Sequence, residues 1–293
     1  MSEPGFIDAV LSTPLLQRAI LAGALAGLCC AVLSPLVVLR RMAFVGDGMA
    51  HAAFGGLGLG LFLLSNSRYE DLSVQFVTLA FCLVMGLAVA KASRQAEAEK
   101  LEEDSAIGIA FSVSMALGAL FIRLRQNQHS QQYAPPMDMF LFGSILNIGW
   151  NEIFMLLGIA AAVLATLVLF QKEILFYMFD SRLAEVSGVK TGFIHYIFMV
   201  LLVLTVVISS RVVGIVLVSA SLILPGVIAL KLCSRLVPAM FMAAAIGIVS
   251  FTLGLAAAYH MNLLPGSAII LIQFALYVIA AVCKSLERSP TPS

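Results

Sequence analysis

LRRMAFVGDGMAHAAFGGLGLG, Leu39 to Gly60, decides how the rest of the chain is read. It opens on a basic pair, Arg40 and Arg41, and then runs apolar apart from Asp47 and His51. In a helix rising about 1.5 Å per residue, Asp47 lies roughly 9 Å past Arg41 and His51 roughly 15 Å. A bilayer core is about 30 Å thick, so a helix starting at the arginines carries His51 near the midplane. Residues four apart share a helix face, so the carboxylate and the imidazole point the same way. Ionisable groups at that depth are costly and mark substrate or ion paths. A carboxylate oxygen with a neutral imidazole suits a first-row divalent ion, and two ligands are too few for a closed structural site. A hydrogen bond that ties two helices together fits the pair as well. Glycines at 46, 48, 55, 56, 58 and 60 agree with both readings, since they allow close helix packing or a locally unwound helix beside a pore.

Outside this stretch the composition leaves room for membrane spans and little else. Of 293 residues, 61% are apolar and 11% charged, and the mean hydropathy is +1.04. That excludes a soluble domain. About nine spans of about 20 residues match the apolar share. A net charge of +1 argues against nucleic acid as a partner. Cys29, Cys30, Cys82, Cys233 and Cys283 are scattered and show no CxxC spacing, so neither a disulfide framework nor a structural zinc site is expected. Glu3 and Asp8 stand where a signal peptide would carry basic residues, so no cleavable leader is expected.

Taken in order, residues 1–14 form an interfacial segment broken by Pro4 and Pro14, residues 15–285 form one transmembrane domain, and 286–293 form a tail. Spans are expected near 15–39, 42–64, 72–92, 106–124, 151–170, 192–210, 212–232, 237–259 and 264–283. The joins at 210–211 and 260–263 are tight, so the count is eight or nine. SNSRYED (65–71) and RQNQHSQQYAPPMD (125–138) are polar loops, and KASRQAEAEKLEED (91–104) is a solvated, helix-prone linker. LFGSILNIG (141–149) is too short to cross and reads as interfacial or re-entrant. Pro225 is expected to kink the seventh span. Arg211 is expected in a short outer turn, His129 in a loop and His195 at a span start. His260, with Asn262, is placed at the outer end of the eighth span.

The basic residues orient the chain. Loops at 40–41, 91–104, 171–191, 231–236 and 284–293 fall on one side and hold twelve of the 17 Lys and Arg residues. The positive-inside rule makes that side cytoplasmic, with the N-terminus out and the C-terminus in.

On the same side lies EILFYMFDSRLAEVSGVKTG, 173–192. Asp180 or Ser181 can cap a short helix that Gly188 ends. Phe179, Leu183 and Val186 share one face. Such a helix rests on lipid or fits a groove in a partner. The chain contains no GxxxxGK[ST], HExxH or GxSxG motif, so ATP hydrolysis is not expected of this chain and neither is a hydrolase activity. Active transport through it would draw on an ion gradient or on a separate ATPase.

LRRMAFVGDGMAH resembles the signature of the zinc/manganese/iron permease family of ABC importers. EEDSAIGIAFS (102–112), LFGSIL (141–146), FDSRLAEVSGV (179–189) and VVGIVLVSASLILPGVIAL (212–230) follow in the family's order. The resemblance implies an all-α, type II importer-like permease that pairs with a second copy or a paralogue. It also implies a cytoplasmic ATP-binding subunit and a periplasmic or lipid-anchored metal-binding protein. Asp47 and His51 match the family's path-lining acid and histidine. Phe179, Asp180, Leu183, Ala184, Glu185, Val186 and Gly188 match its coupling helix. The implied cargo is Zn²⁺ or Mn²⁺, with Fe²⁺ a further candidate, bound transiently and with no resident cofactor. The chain departs from the family at Ala50, where serine is usual. A gradient-driven transporter or channel with no ATPase is the competing class.

Overall fold

The computed structural model describes residues 10, 12–64, 72–99, 104–128, 143, 148–261 and 263–288, and every regular element in them is helical. Most of the 1–14 segment, the 65–71 loop, residues 100–103, His129 and nearly all of 129–147 lie outside the described residues, as do Asn262 and the end of the tail.

The first helix, α1 (Pro14–Leu39), starts where Thr13 is extended and Pro14 supplies a helical φ without needing a hydrogen bond. It ends in a Schellman turn. Arg41 N–H donates to Val38 O at 3.1 Å and Met42 N–H to Val37 O at 3.0 Å. Glycine usually fills the left-handed position of such a turn, but here Arg41 does, at φ 57°. That conformation costs an L-residue about 1–2 kcal/mol. After this corner α2 (Ala43–Leu63) begins at once, so the basic pair sits at the joint of two helices.

Beyond α2 come α3 (Leu72–Glu99), α4 (Asp104–Gln128) and α5 (Trp150–Leu169). Two short helices follow, α6 (Gln171–Phe179) and α7 (Ser181–Val186). The rest is α8 (Thr191–Val213), α9 (Ile215–Ser221), α10 (Leu224–Leu232), α11 (Leu236–Met261) and α12 (Pro265–Arg288). Among the described residues eight segments are long and apolar enough to cross a membrane: α1, α3, α4, α5, α8, α9 with α10, α11 and α12. With 21 residues α2 is also of spanning length, about 31 Å, but its glycines, Asp47 and His51 dilute its hydropathy.

Several expected boundaries move. Helix α3 runs on to Glu99 and α4 to Gln128, because Lys, Arg, Gln and Glu propagate a helix as well as apolar residues do. Arg125, expected in a loop, is therefore helical, and its side chain is buried. The break expected at 210–211 falls instead at Gly214, whose φ of 87° and ψ of 157° suit only glycine. Arg211 accordingly lies in the last turn of α8, half-buried, and not in an outer turn. The kink expected at Pro225 is a complete break at 222–223, with Pro225 in the first turn of α10. Ile223, at that N-terminus, has no side chain able to cap it. Ser34 of α1 does so from a distance, its Oγ accepting from Gly226 N–H at 2.8 Å.

Helix α2 is wedged between α3 and α4, with α8 and α9 behind it. A Cβ at Gly58 would lie 2.5 Å from the Gly118 carbonyl oxygen of α4, so the two backbones meet where no side chain fits. In lipid, helices associate through such packing and not through the hydrophobic effect. A second group, α5, α10 and α11, packs on α1, with α12 laid outside on α10 and α11. Helices α8 and α9 touch both α1 and α2 and so join the two groups.

Candidate functional site

Asp47 and His51 sit on α2 one turn apart, with His51 Nε2 and Asp47 Oδ1 separated by 3.8 Å. Two atoms each about 2.1 Å from one tetrahedral ion lie roughly 3.4 Å apart, so a small side-chain adjustment would bring both onto the same ion. The His51 ring meets the Phe111 ring of α4 edge-on at 4.4 Å, which restrains its orientation. Most of α2 is buried, yet the Asp47 side chain is 46% exposed and that of His51 20%. Phe44, 62% exposed, continues the same strip one turn earlier. Among the described residues, Ala43, Phe44, Asp47 and His51 are the positions of the N-terminal half of α2 that are not buried.

Among the described residues no group of three His, Cys, Asp or Glu side chains is close enough to hold a metal ion. The described residues of a single chain thus offer one oxygen and one nitrogen on an open face. Ala50, where the family usually has serine, is fully buried, three residues after Asp47 and next to His51 on α2. His260 is exposed at the end of α11 with its ring against Tyr259 at 5.5 Å, far in sequence and element from Asp47.

The second expected site is built locally. Asp180 is extended (φ −151°, ψ 104°), and its Oδ1 accepts from Arg182 N–H and Leu183 N–H, both at 3.0 Å. At the other end Gly188 has φ 88°, Gly188 N–H donates to Glu185 O and Val189 N–H to Ala184 O, each at 3.0 Å. This is a second Schellman turn, here with the glycine it prefers. Six residues are thereby held helical, although a helix this short is unstable in isolation. Phe179, Leu183 and Val186 project outward, with Val186 88% exposed. Ala184 is fully buried and anchors α7 to the body. Phe179 is the last residue of α6, so the apolar face is assembled across the α6–α7 corner. Removing the cap with Asp180→Ala is expected to cost about 1 kcal/mol of local stability. Amide exchange over residues 181–186 should then run about fivefold faster, and unchanged exchange would show that the cap does not hold α7.

A polytopic helical body with a discontinuous α9–α10 span, an open acid–histidine strip on α2 and a capped apolar helix at one end has the architecture of a membrane permease. Comparison with known proteins gives the family. The sequence model of the ABC 3 transport family matches residues 12–284, and the chain belongs to that family. It is 33% identical over 94% of its length to the chelated iron transport system membrane protein YfeD of Yersinia pestis, covering 87% of that protein. It is 32% identical to the manganese transport system membrane protein MntC of Halalkalibacterium halodurans, covering 94% of this chain and 89% of that one. The solved structure of PsaBC from Streptococcus pneumoniae in complex with Fab superposes with a TM-score of 0.78 at 29% identity, covering 94% of each chain. An inward-facing metal-chelate type ABC transporter shares the fold at 16% identity, with a TM-score of 0.64.

The chain is therefore a multi-pass membrane permease of an ABC importer. Such a subunit is a membrane component and not an ATPase, so it works within a complex that includes an ATPase. Family membership decides between the two energy sources left open by the sequence, and the gradient-driven class falls away.

Proposed function

We propose that this permease carries divalent transition metal ions into the cell, with Asp47 and His51 as the transient ligands. The observation that carries the proposal is the open strip on α2, where an acid and an imidazole lie 3.8 Å apart on an otherwise buried helix. The described residues of one chain supply two ligands, and a second permease chain, a copy or a paralogue, is the proposed source of the others. An incomplete, open site binds weakly enough to release its ion. The ion is cargo, and no resident cofactor is required. Nitrogen and oxygen donors accept several first-row ions, with the choice set by geometry and availability. The names of the relatives, iron for one and manganese for another, favour Mn²⁺ and Fe²⁺ over Zn²⁺.

The exposed Phe179, Leu183 and Val186 face is the docking surface for the ATP-binding subunit on the cytoplasmic side. The chain then has its N-terminus outside and its C-terminus inside. A periplasmic or lipid-anchored binding protein delivers the ion from the opposite face. ATP binding and hydrolysis move α7 and switch access between the two sides. Uptake of labelled Mn²⁺ by cells carrying the complete transporter tests this. Unlabelled Fe²⁺ should compete strongly and Mg²⁺ should not, since a site with imidazole disfavours a hard, strongly hydrated ion. Loss of all divalent uptake specificity, or uptake unaffected by deleting the transporter, would overturn the proposal.

A further inference from the structure

Between the docking helix and the ion-bearing helix lies a buried polar junction that the sequence did not disclose. Tyr177 of α6 is 3% exposed and stands three residues before the Asp180 cap. The Arg40 guanidinium carbon lies 3.8 Å from the centre of its ring. Tyr177 Oη is 2.9 Å from His195 Nδ1, and His195 Nε2 is 3.1 Å from the Ala90 carbonyl oxygen of α3. A carbonyl oxygen only accepts, so in the neutral ring Nε2 carries the proton and donates to Ala90 O. Nδ1 then accepts from the tyrosine hydroxyl. His195, expected at a span start, is 3% exposed and ties α6, α8 and α3 together.

We propose that Arg40, Tyr177 and His195 are positioning residues that carry movement of α7 to α2. The proposal rests on the reading of Asp47 and His51 as the ion site and of α7 as the ATPase dock. Both flanks of α7 are held: α6 leads into it and α8 leaves it after residues 187–190, and the Tyr177–His195 hydrogen bond clamps the two. Asp180 N–H donates to Phe176 O and Asp180 O accepts from Ala184 N–H, so the one residue at the corner ends α6 and starts α7 with no linker between them. Arg40 closes α1, and the Schellman turn at Arg41 and Met42 leads directly into α2. A shift of the Tyr177 ring therefore pulls on the corner from which Asp47 hangs, about one and a half helical turns away.

Two observations set this apart from ordinary core packing. An arginine at the membrane boundary is most easily accommodated by reaching outward into water or headgroups. Arg40 is instead folded inward over a buried ring. The adjoining Arg41 also holds a left-handed conformation that an arginine adopts only at a cost. Tension at this joint and its link to the dock point to one mechanical element.

The test uses the complete transporter with its ATP-binding subunit in proteoliposomes, measuring Mn²⁺ moved per ATP hydrolysed. Arg40→Met and Tyr177→Leu should assemble and hydrolyse ATP, yet move roughly tenfold fewer ions per ATP, in the range of site-to-site coupling. Tyr177→Phe keeps the ring beneath Arg40 and removes only the hydroxyl, so it should lose less than Tyr177→Leu. Arg40 is half-exposed, and Arg40→Met decides the matter if Tyr177→Leu does not fold. A wild-type ratio of ions to ATP in assembled Arg40→Met and Tyr177→Phe complexes overturns the proposal. Asp47→Asn measured alongside separates the two readings. If it transports normally the ion-site assignment fails, whereas a lowered ratio confined to Arg40 and Tyr177 variants still reports the linkage.

Discussion

His51→Ala is expected to lower Mn²⁺ uptake by at least about 100-fold without reducing the amount of permease in the membrane. Losing even a residue that only orients a metal ligand costs about 10–100-fold in affinity or activity, so losing the ligand itself should cost no less. Asp47→Asn should cost nearly as much. The amide keeps an oxygen in place but removes the negative charge that offsets the ion's own. The double variant should be little worse than His51→Ala, because once one donor is gone the other no longer holds an ion alone. Asp47→Asn removes no volume, whereas His51→Ala gives up the ring contact with Phe111, so the amount of permease in the membrane is measured alongside uptake. Equal uptake by wild type and His51→Ala at matched expression would remove the pair from the path and leave only a structural contact.

The second large effect concerns assembly. Val186→Asp and Leu183→Asp place a carboxylate in the middle of the exposed apolar face, where Val186 is 88% and Leu183 54% exposed. The isolated permease should fold as before, since neither side chain contributes to its core. Binding of the ATP-binding subunit should weaken by at least about 2 kcal/mol, the loss that marks an interface anchor. That is roughly 30-fold in affinity. Ala184→Asp is the informative contrast. Ala184 is fully buried, so this variant should be poorly expressed or unstable before any partner is present. Co-purification of the two subunits from detergent reads out all three. Undiminished co-purification of Val186→Asp would move the dock elsewhere.

Both candidate sites were legible in the sequence because each depends on local rules. An acid and an imidazole four residues apart on a helix share a face wherever the helix lies. Asp180 and Gly188 are strong caps in any surroundings. What the sequence concealed depends on tertiary context. VVGIVLVSASLILPG is apolar but for Ser219 and Ser221, too weak a polar signal to mark the breaks at Gly214 and 222–223. Gly214 ends α8 through its φ, and Ser34, 192 residues away, caps α10. The ends of α3 and α4 were missed for the converse reason. Residues 91–104 are expected as a helix-prone linker beyond the span and 125–138 as a loop, whereas the charged residues carry both helices on to Glu99 and Gln128. The junction at His195 was beyond reach from spacing alone. Its partners are 18 and 105 residues distant, and Tyr177 is hidden in the apolar run EILFYMF. Arg40 gave away its place at a boundary but not its inward fold.

X-ray absorption by Mn²⁺ held in the assembled transporter tests the central claim most directly. An imidazole nitrogen is expected in the ion's ligand sphere at about 2.1–2.2 Å, beside carboxylate oxygen, and His51→Ala should remove the nitrogen signal. An unchanged ligand sphere in that variant would mean that the ion rests on other groups, and that Asp47 and His51 only hold helices together.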